Sequence, residues 1–230
     1  MIQSGKSINW EVSMKSFENM KEVVTLYHGS KSGIRGSIAP ISRERCDFGK
    51  GFYMGTDRTQ PLTLICNYPK AKIYTLSVDL SNLRILNVEV GLDWALLVAY
   101  NRGKMETIKN SQIYSRFENM GKGCDMIIGY IANDRMFVVL DRFFNGEITD
   151  FALINSLSAL KLGTQYVALT EKACNKIKIL EEQALTKEDR DRLKEEGNIN
   201  RSKGIDMANE ICRKYRREGR FFDEILKVGE

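Results

Sequence analysis

Short strand-like runs alternate along this chain with helical segments that stop at glycine, and that alternation most limits what it can fold into. "VVTLY" (23–27), "GKGFYMG" (49–55), "IYTLSVDL" (73–80), "CDMIIGYIA" (124–132) and "TQYVALT" (164–170) are short and rich in β-branched or aromatic residues. In the third, Tyr74, Leu76, Val78 and Leu80 alternate to one face, the period of a half-buried strand. "DWALLVAYNRG" (93–103), "METIKNSQIYSRFENMGKG" (105–123), "DRMFVVLDRFFNG" (134–146) and "TDFALINSLSALKLG" (149–163) read as helices closed by glycine. Thr59–Gln60–Pro61 opens another helix, because proline lacks only an amide that the first turn leaves unpaired. Thr170 caps a further helix expected over "EKACNKIKIL" (171–180). Mixed strands and helices of this kind give an α+β body.

From Glu181 the character changes. The remaining residues are dense in both signs of charge, begin with a Thr186-x-x-Asp189 capping pattern, and regain apolar positions at Ile205, Met207, Ala208, Ile211 and Cys212. The expected organisation is an N-terminal extension (1–22), a central domain (23–180) and a charged helical extension (181–230). The extension reads as amphipathic helices packed on the body; the alternative is a partner-binding or nucleic-acid-facing arm through "RKYRREGR" (213–220). A net charge of +5 favours anionic partners without selecting one.

Cysteines at 46, 66, 124, 174 and 212 form no CxxC, and one histidine offers one nitrogen ligand, so no metal site is expected. Scattered thiols read as reduced, in a cytoplasm. "MIQSGKSINW" has no apolar signal core and no apolar run is long enough for a membrane span. The expectation is a soluble cytoplasmic protein with no membrane contact.

Three segments place ligand-capable residues beside strand sequence: "LYHGS" (26–30), "DFGKGFYMGTD" (47–57) and "TQYVALTEKA" (164–173). The first holds the only histidine. On "YHGS" and "FGKGFY" the chain resembles the ADP-ribosyltransferase superfamily, on its diphtheria-toxin and poly(ADP-ribose) polymerase side. From Val23 to about Leu180 it resembles a bacterial domain of unknown function often encoded beside small antitoxin-like genes. The resemblance implies a split, mostly antiparallel β-sandwich ringed by helices, with NAD as co-substrate in the cleft. It assigns His28, Tyr53 and Gln165 the places of the catalytic triad, with Gly29, Ser30, Gly51 and Tyr53 holding the cofactor.

Such a site must hold the ribose, fix the carboxamide and place the nucleophile, because nicotinamide is already a good leaving group. A neutral imidazole can bond a ribose hydroxyl, a glycine beside it lets backbone approach the carboxamide, and an aromatic ring walls the nicotinamide. Gln165 stands where the polymerases carry glutamate. An amide keeps a hydrogen bond but supplies neither charge nor a general base, so one ADP-ribose per acceptor is expected rather than a polymer. The second nicotinamide-stacking tyrosine has no clear match; Leu64 and Tyr68 are the nearest positions. Lys50 reaches the pyrophosphate or faces solvent, and "IANDR" (131–135) reaches a phosphate or caps a helix.

The function expected is a mono-ADP-ribosyltransferase acting on a macromolecular acceptor, as the toxin of a toxin–antitoxin or phage-defence pair, with a small antitoxin as partner. Two rival classes share the same residues. One is a non-catalytic module binding NAD, ADP-ribose or a partner, favoured by Gln165; the other is a basic nucleic-acid-binding protein without NAD chemistry.

Overall fold

A computed structural model describes residues 14–16, 23–131, 134–159, 163–215 and 218–227. In chain order the elements are β1 (Met14–Ser16), β2 (Val23–Ser30), β3 (Phe52–Gly55), α1 (Thr59–Ile65), β4 (Lys72–Asp79), β5 (Arg84–Val88) and α2 (Leu92–Asn101). There follow α3 (Gln112–Met120), β6 (Met126–Tyr130), α4 (Asp134–Phe144), α5 (Asp150–Ala159) and β7 (Thr164–Ala168). The chain closes with α6 (Glu171–Cys174), β8 (Ile177–Ala184), α7 (Lys187–Lys214) and α8 (Phe222–Lys227).

The strands form one sheet in the order β1-β5-β6-β7-β3-β2-β4-β8, antiparallel except between β5 and β6. This is the α+β class expected, and the split is visible in the register. β2 pairs with β4 along all of Val23–Ser30, and β3 pairs with β7 along Phe52–Gly55. β2 and β3 meet only at Tyr27 and Gly55. Two half-sheets are therefore joined at a single residue pair and part company beyond it.

Helices cover the face that carries Tyr53. "DWALLVAYN" is apolar round its whole circumference, so α2 sits inside the core, with Trp94 to Ala99 all buried. It packs with Met136, Val139, Leu140 and Phe143 of α4, Leu153 and Leu157 of α5, and Phe222 of α8. On the other half-sheet, α1 packs Leu62 and Ile65 against Ile73 and Tyr27. The opposite face of the sheet is a separate core of Leu26, Phe52, Tyr74, Leu76, Val78 and Ile85, closed by Ile34 and Ile38 and by Ala173 and Cys174 of α6.

α7 ties the half-sheets together. Its Leu193 belongs to the α1 cluster and its Ile211 to the α2–α4 cluster; the eighteen helical steps from one to the other span about 27 Å. The Thr186–Asp189 capping box starts this helix as expected. The "RKYRREGR" arm is docked where it is described: Tyr215 packs on Phe151 and Arg220 meets Asp150, while residues 216 and 217 lie outside the described residues. Among the described residues no helix is long and apolar enough to cross a membrane.

One expected helix is mostly strand. "EKACNKIKIL" makes only one turn, α6, before Asn175 caps it; the rest becomes β8 along β4 and runs on past position 181. Ile177 opposite Val78 and Ile179 opposite Leu76 gain a cross-strand partner that an isolated helix would not give them.

Gly29 is required by packing. A Cβ there would lie 2.8 Å from the Pro61 carbonyl oxygen and 3.1 Å from Ile65 Cγ2, so α1 rests on the bare Cα. We expect Gly29→Ala to lower unfolding free energy by ~1–3 kcal/mol, read by urea denaturation; an unchanged midpoint would show that α1 yields freely.

Candidate functional site

Just past the Tyr27–Gly55 pair, β2 loses its partner on the β3 side, and the carbonyl of Tyr53 faces the opening. His28 fills this wedge. Its Nδ1 lies 2.7 Å from the Tyr53 carbonyl oxygen, and its ring stacks on Phe52 at 4.2 Å between centroids and 26° between planes. A carbonyl only accepts, so Nδ1 carries the proton and, in the neutral ring, Nε2 is a bare acceptor. Burial holds the imidazole below its ordinary range of about 6.5, against the opposing pull of the Tyr53 carbonyl. The side chain stays neutral at pH 7.

Tyr53 points to the other face, where its half-buried ring packs against the helical core. Its hydroxyl is fully used: it donates to the Gly49 carbonyl at 2.7 Å and accepts from the Phe48 amide at 3.0 Å. Burial raises the phenol far above its usual range, so it remains a neutral donor. The loop it grips is anchored in turn by α2. Arg102 places Nε and Nη2 at 2.9 and 2.6 Å from Asp47 Oδ1, and Asn101 Nδ2 donates to the Asp47 carbonyl at 3.1 Å. The ring of Phe48 lies over Gly129, where a Cβ would come within 2.5 Å of it.

Gln165 lies on β7 opposite Gly55 and, on its other side, opposite Gly129 of β6. Directly paired residues share a face, so Gln165 stands on the Tyr53 side and is buried at 7% exposure. Its Nε2 donates to the Tyr130 carbonyl at 3.0 Å, which also accepts from Trp94 Nε1 at 3.2 Å. With its nitrogen fixed by an acceptor, the amide leaves Oε1 with no hydrogen bond among the described residues.

The three residues expected in one constellation thus sit on three adjacent strands, β2, β3 and β7. The structure differs from the expected constellation in two respects: the ring against His28 is Phe52, with Tyr53 meeting it through its main chain alone, and the Gln165 side chain stands on the opposite face of the sheet from the imidazole. Gly51 is buried, and a Cβ on it would lie 2.5 Å from Val167 Cγ1. Close packing of β7 therefore accounts for that glycine, as the packing of α1 does for Gly29. Ser30 ends β2 opposite Lys72. Lys50 faces solvent in an ion pair with Glu44. Leu64 is exposed, and Tyr68 carries the Lys31 ammonium 4.4 Å from its ring centroid. Of "IANDR", residues 132 and 133 and the side chains of 134 and 135 lie outside the described residues. Sequence reasoning missed Phe52, Asp47 and Arg102. The first had a signal, the aromatic pair in "GKGFYMG"; Arg102 had none, since nothing local links it to Asp47.

A family model described as "Protein of unknown function (DUF3990)" matches residues 24–179. No curated protein matches the chain. Among solved structures it is similar to the M. tuberculosis MbcT-MbcA toxin-antitoxin complex, with 8% identity, 76% of this chain and 91% of that chain covered, and a TM-score of 0.39. That likeness is too slight to bear on chemistry.

The chain's only histidine makes a clean titration test. Its folded-state pKa lies below the unfolded value of about 6.5, so the unfolded chain takes up a proton that the folded chain refuses. Stability is full above pH 6.5 and falls below it, by up to ~1.4 kcal/mol per pH unit, until the folded imidazole also protonates. Urea titrations between pH 7.5 and 5 should show this slope, and His28→Asn should remove it; equal slopes in both proteins would place the proton uptake elsewhere.

Proposed function

The chain belongs to the DUF3990 family, and from that premise and its split sheet we propose that it is an NAD-dependent mono-ADP-ribosyltransferase. The observation that carries this reading is the state of His28. It is neutral, fixed by Nδ1, and left with Nε2 as an acceptor where the half-sheets part. A wedge with an acceptor at its end suits a ligand rich in hydroxyls, and "YHGS" followed by "FGKGFY" resembles the motif pair with which the ADP-ribosyltransferase superfamily binds NAD.

NAD supplies an activated bond between nicotinamide and ribose, whose cleavage builds positive charge on the sugar. The chain's task is to hold and orient. His28 Nε2 accepts from a ribose hydroxyl, while Nδ1 keeps the ring from turning. The Tyr53 ring, tied through its hydroxyl on the other face of the sheet, holds the main chain whose carbonyl fixes that imidazole. Gln165, on the Tyr53 side of the sheet, keeps Oε1 free to accept from a hydroxyl that reaches that face, its other end held by Tyr130. None of these groups is a base at neutral pH except the imidazole, and no carboxylate stands at 165 to activate an acceptor hydroxyl. The acceptor must bring its own nucleophilicity, and transfer stops at one unit. A role as the toxin of a pair with a small antitoxin belongs to the same proposal and rests on the motif resemblance.

With labelled NAD we expect nicotinamide release and single ADP-ribose additions. His28→Asn, whose amide nitrogen takes the place of Nδ1 but which has no counterpart of Nε2, should fold and lose at least about 100-fold in release. Gln165→Met, close in volume, should lose a comparable factor. Release that survives both substitutions, or ladders of polymer, would defeat the reading.

A further inference from the structure

The segment 31–50, which leaves β2 and returns to β3, carries Lys31, Arg35, Arg43, Arg45 and Lys50 against only Glu44 and Asp47. Both acids are engaged, Asp47 by Arg102 and Glu44 by Lys50. Arg35, Arg43 and Arg45 are exposed and have no ion pair among the described residues. The segment wraps the open end of the split: Ile34 and Ile38 pack on one face of the sheet, and Phe48 packs on the other. Its cations therefore belong to the connection that joins β2 to β3 across the end where they part.

Two neighbours extend the surface. Arg45 holds a left-handed backbone, φ 60°, which a side chain this bulky rarely adopts. The guanidinium lies over Gly103, so that a Cβ there would be 3.6 Å from Arg45 Cζ, beside the exposed and unpaired Lys104. At the other end Lys31 sits over the ring of Tyr68, which is 36% exposed.

We propose that segment 31–50, with Tyr68 and Lys104, is a docking surface for single-stranded nucleic acid. Bound there, the strand is delivered to the split as the acceptor. The docking stands on charge and geometry alone; only its use as an acceptor rests on the transferase reading. A dinucleotide offers two phosphates, fewer than the four unpaired cations at Arg35, Arg43, Arg45 and Lys104. A protein interface wants an apolar centre, whereas the exposed large apolar residue of this segment is Ile41 alone. Cations spaced along a track with an accessible aromatic ring suit a strand whose phosphates pair with the cations and whose bases stack.

The test is fluorescence anisotropy of the full chain, without NAD, against labelled oligouridylate and oligothymidylate of about 20 nucleotides. Four phosphate contacts give a slope of about −2.8 in log K against log salt, about fifty-fold weaker binding at 200 than at 50 mM. Arg35→Glu/Arg43→Glu should halve the slope, to about sevenfold over the same range. Arg201→Glu/Lys203→Glu on α7 serves as the control and should change nothing. The arm that binds more tightly names the acceptor as RNA or DNA. No saturable binding, a slope unaffected by Arg35→Glu/Arg43→Glu, or preference for polyglutamate over both oligonucleotides overturns the proposal. Binding with no nicotinamide release leaves the docking standing and defeats the transferase; release without binding does the reverse.

Discussion

The hydrogen bond from His28 to the Tyr53 carbonyl does the work of a missing strand. Where β2 and β3 part after one residue pair, the sheet would leave a carbonyl facing an apolar opening, and an unpaired buried carbonyl costs roughly 1–3 kcal/mol. The imidazole supplies the donor and stacks on Phe52, so the half-sheets can separate without a penalty at the seam. The same bond decides the tautomer. A group recruited to close a structural gap thereby presents an acceptor at the gap's open end.

Rigidity around this seam comes from the helical side. Asp47 and Arg102 are a largely buried pair, exposed to 16% and 12%, and breaking such a pair by removing one partner costs about 3–5 kcal/mol. The pair fixes the loop that holds the Tyr53 hydroxyl, so the position of that ring is set by a helix far from it in sequence. Arg102 Nη1 is buried without a partner, a cost the fork to Asp47 and the contact with Phe137 must offset. On the outside, α7 spans both half-sheets and resists their separation.

Much of this was legible. Five strands and most helices announce themselves through period and through their closing glycines, and His28, Tyr53 and Gln165 fall on adjacent strands. What the residues alone did not disclose has a common cause. "KIKIL" has a helical start and a strand-like end, and only the free edge of β4 decides between them. Gly29 and Gly51 invite a ligand-based explanation until the Pro61 carbonyl and Val167 are seen to occupy the space of their missing side chains. Which face Tyr53 takes depends on where the sheet splits, and the split is a property of pairing between distant segments. Local pattern specifies elements, whereas contacts of long range specify which side of them does what.

The most direct measurement is the long-range proton–nitrogen spectrum of the single imidazole at pH 7, recorded with and without NAD. The account predicts a neutral ring protonated on Nδ1, with the Nε2 resonance moving on addition of NAD as it gains a hydroxyl donor and the Nδ1 resonance nearly still. A ring protonated on Nε2, or spectra that NAD leaves unchanged, would contradict it.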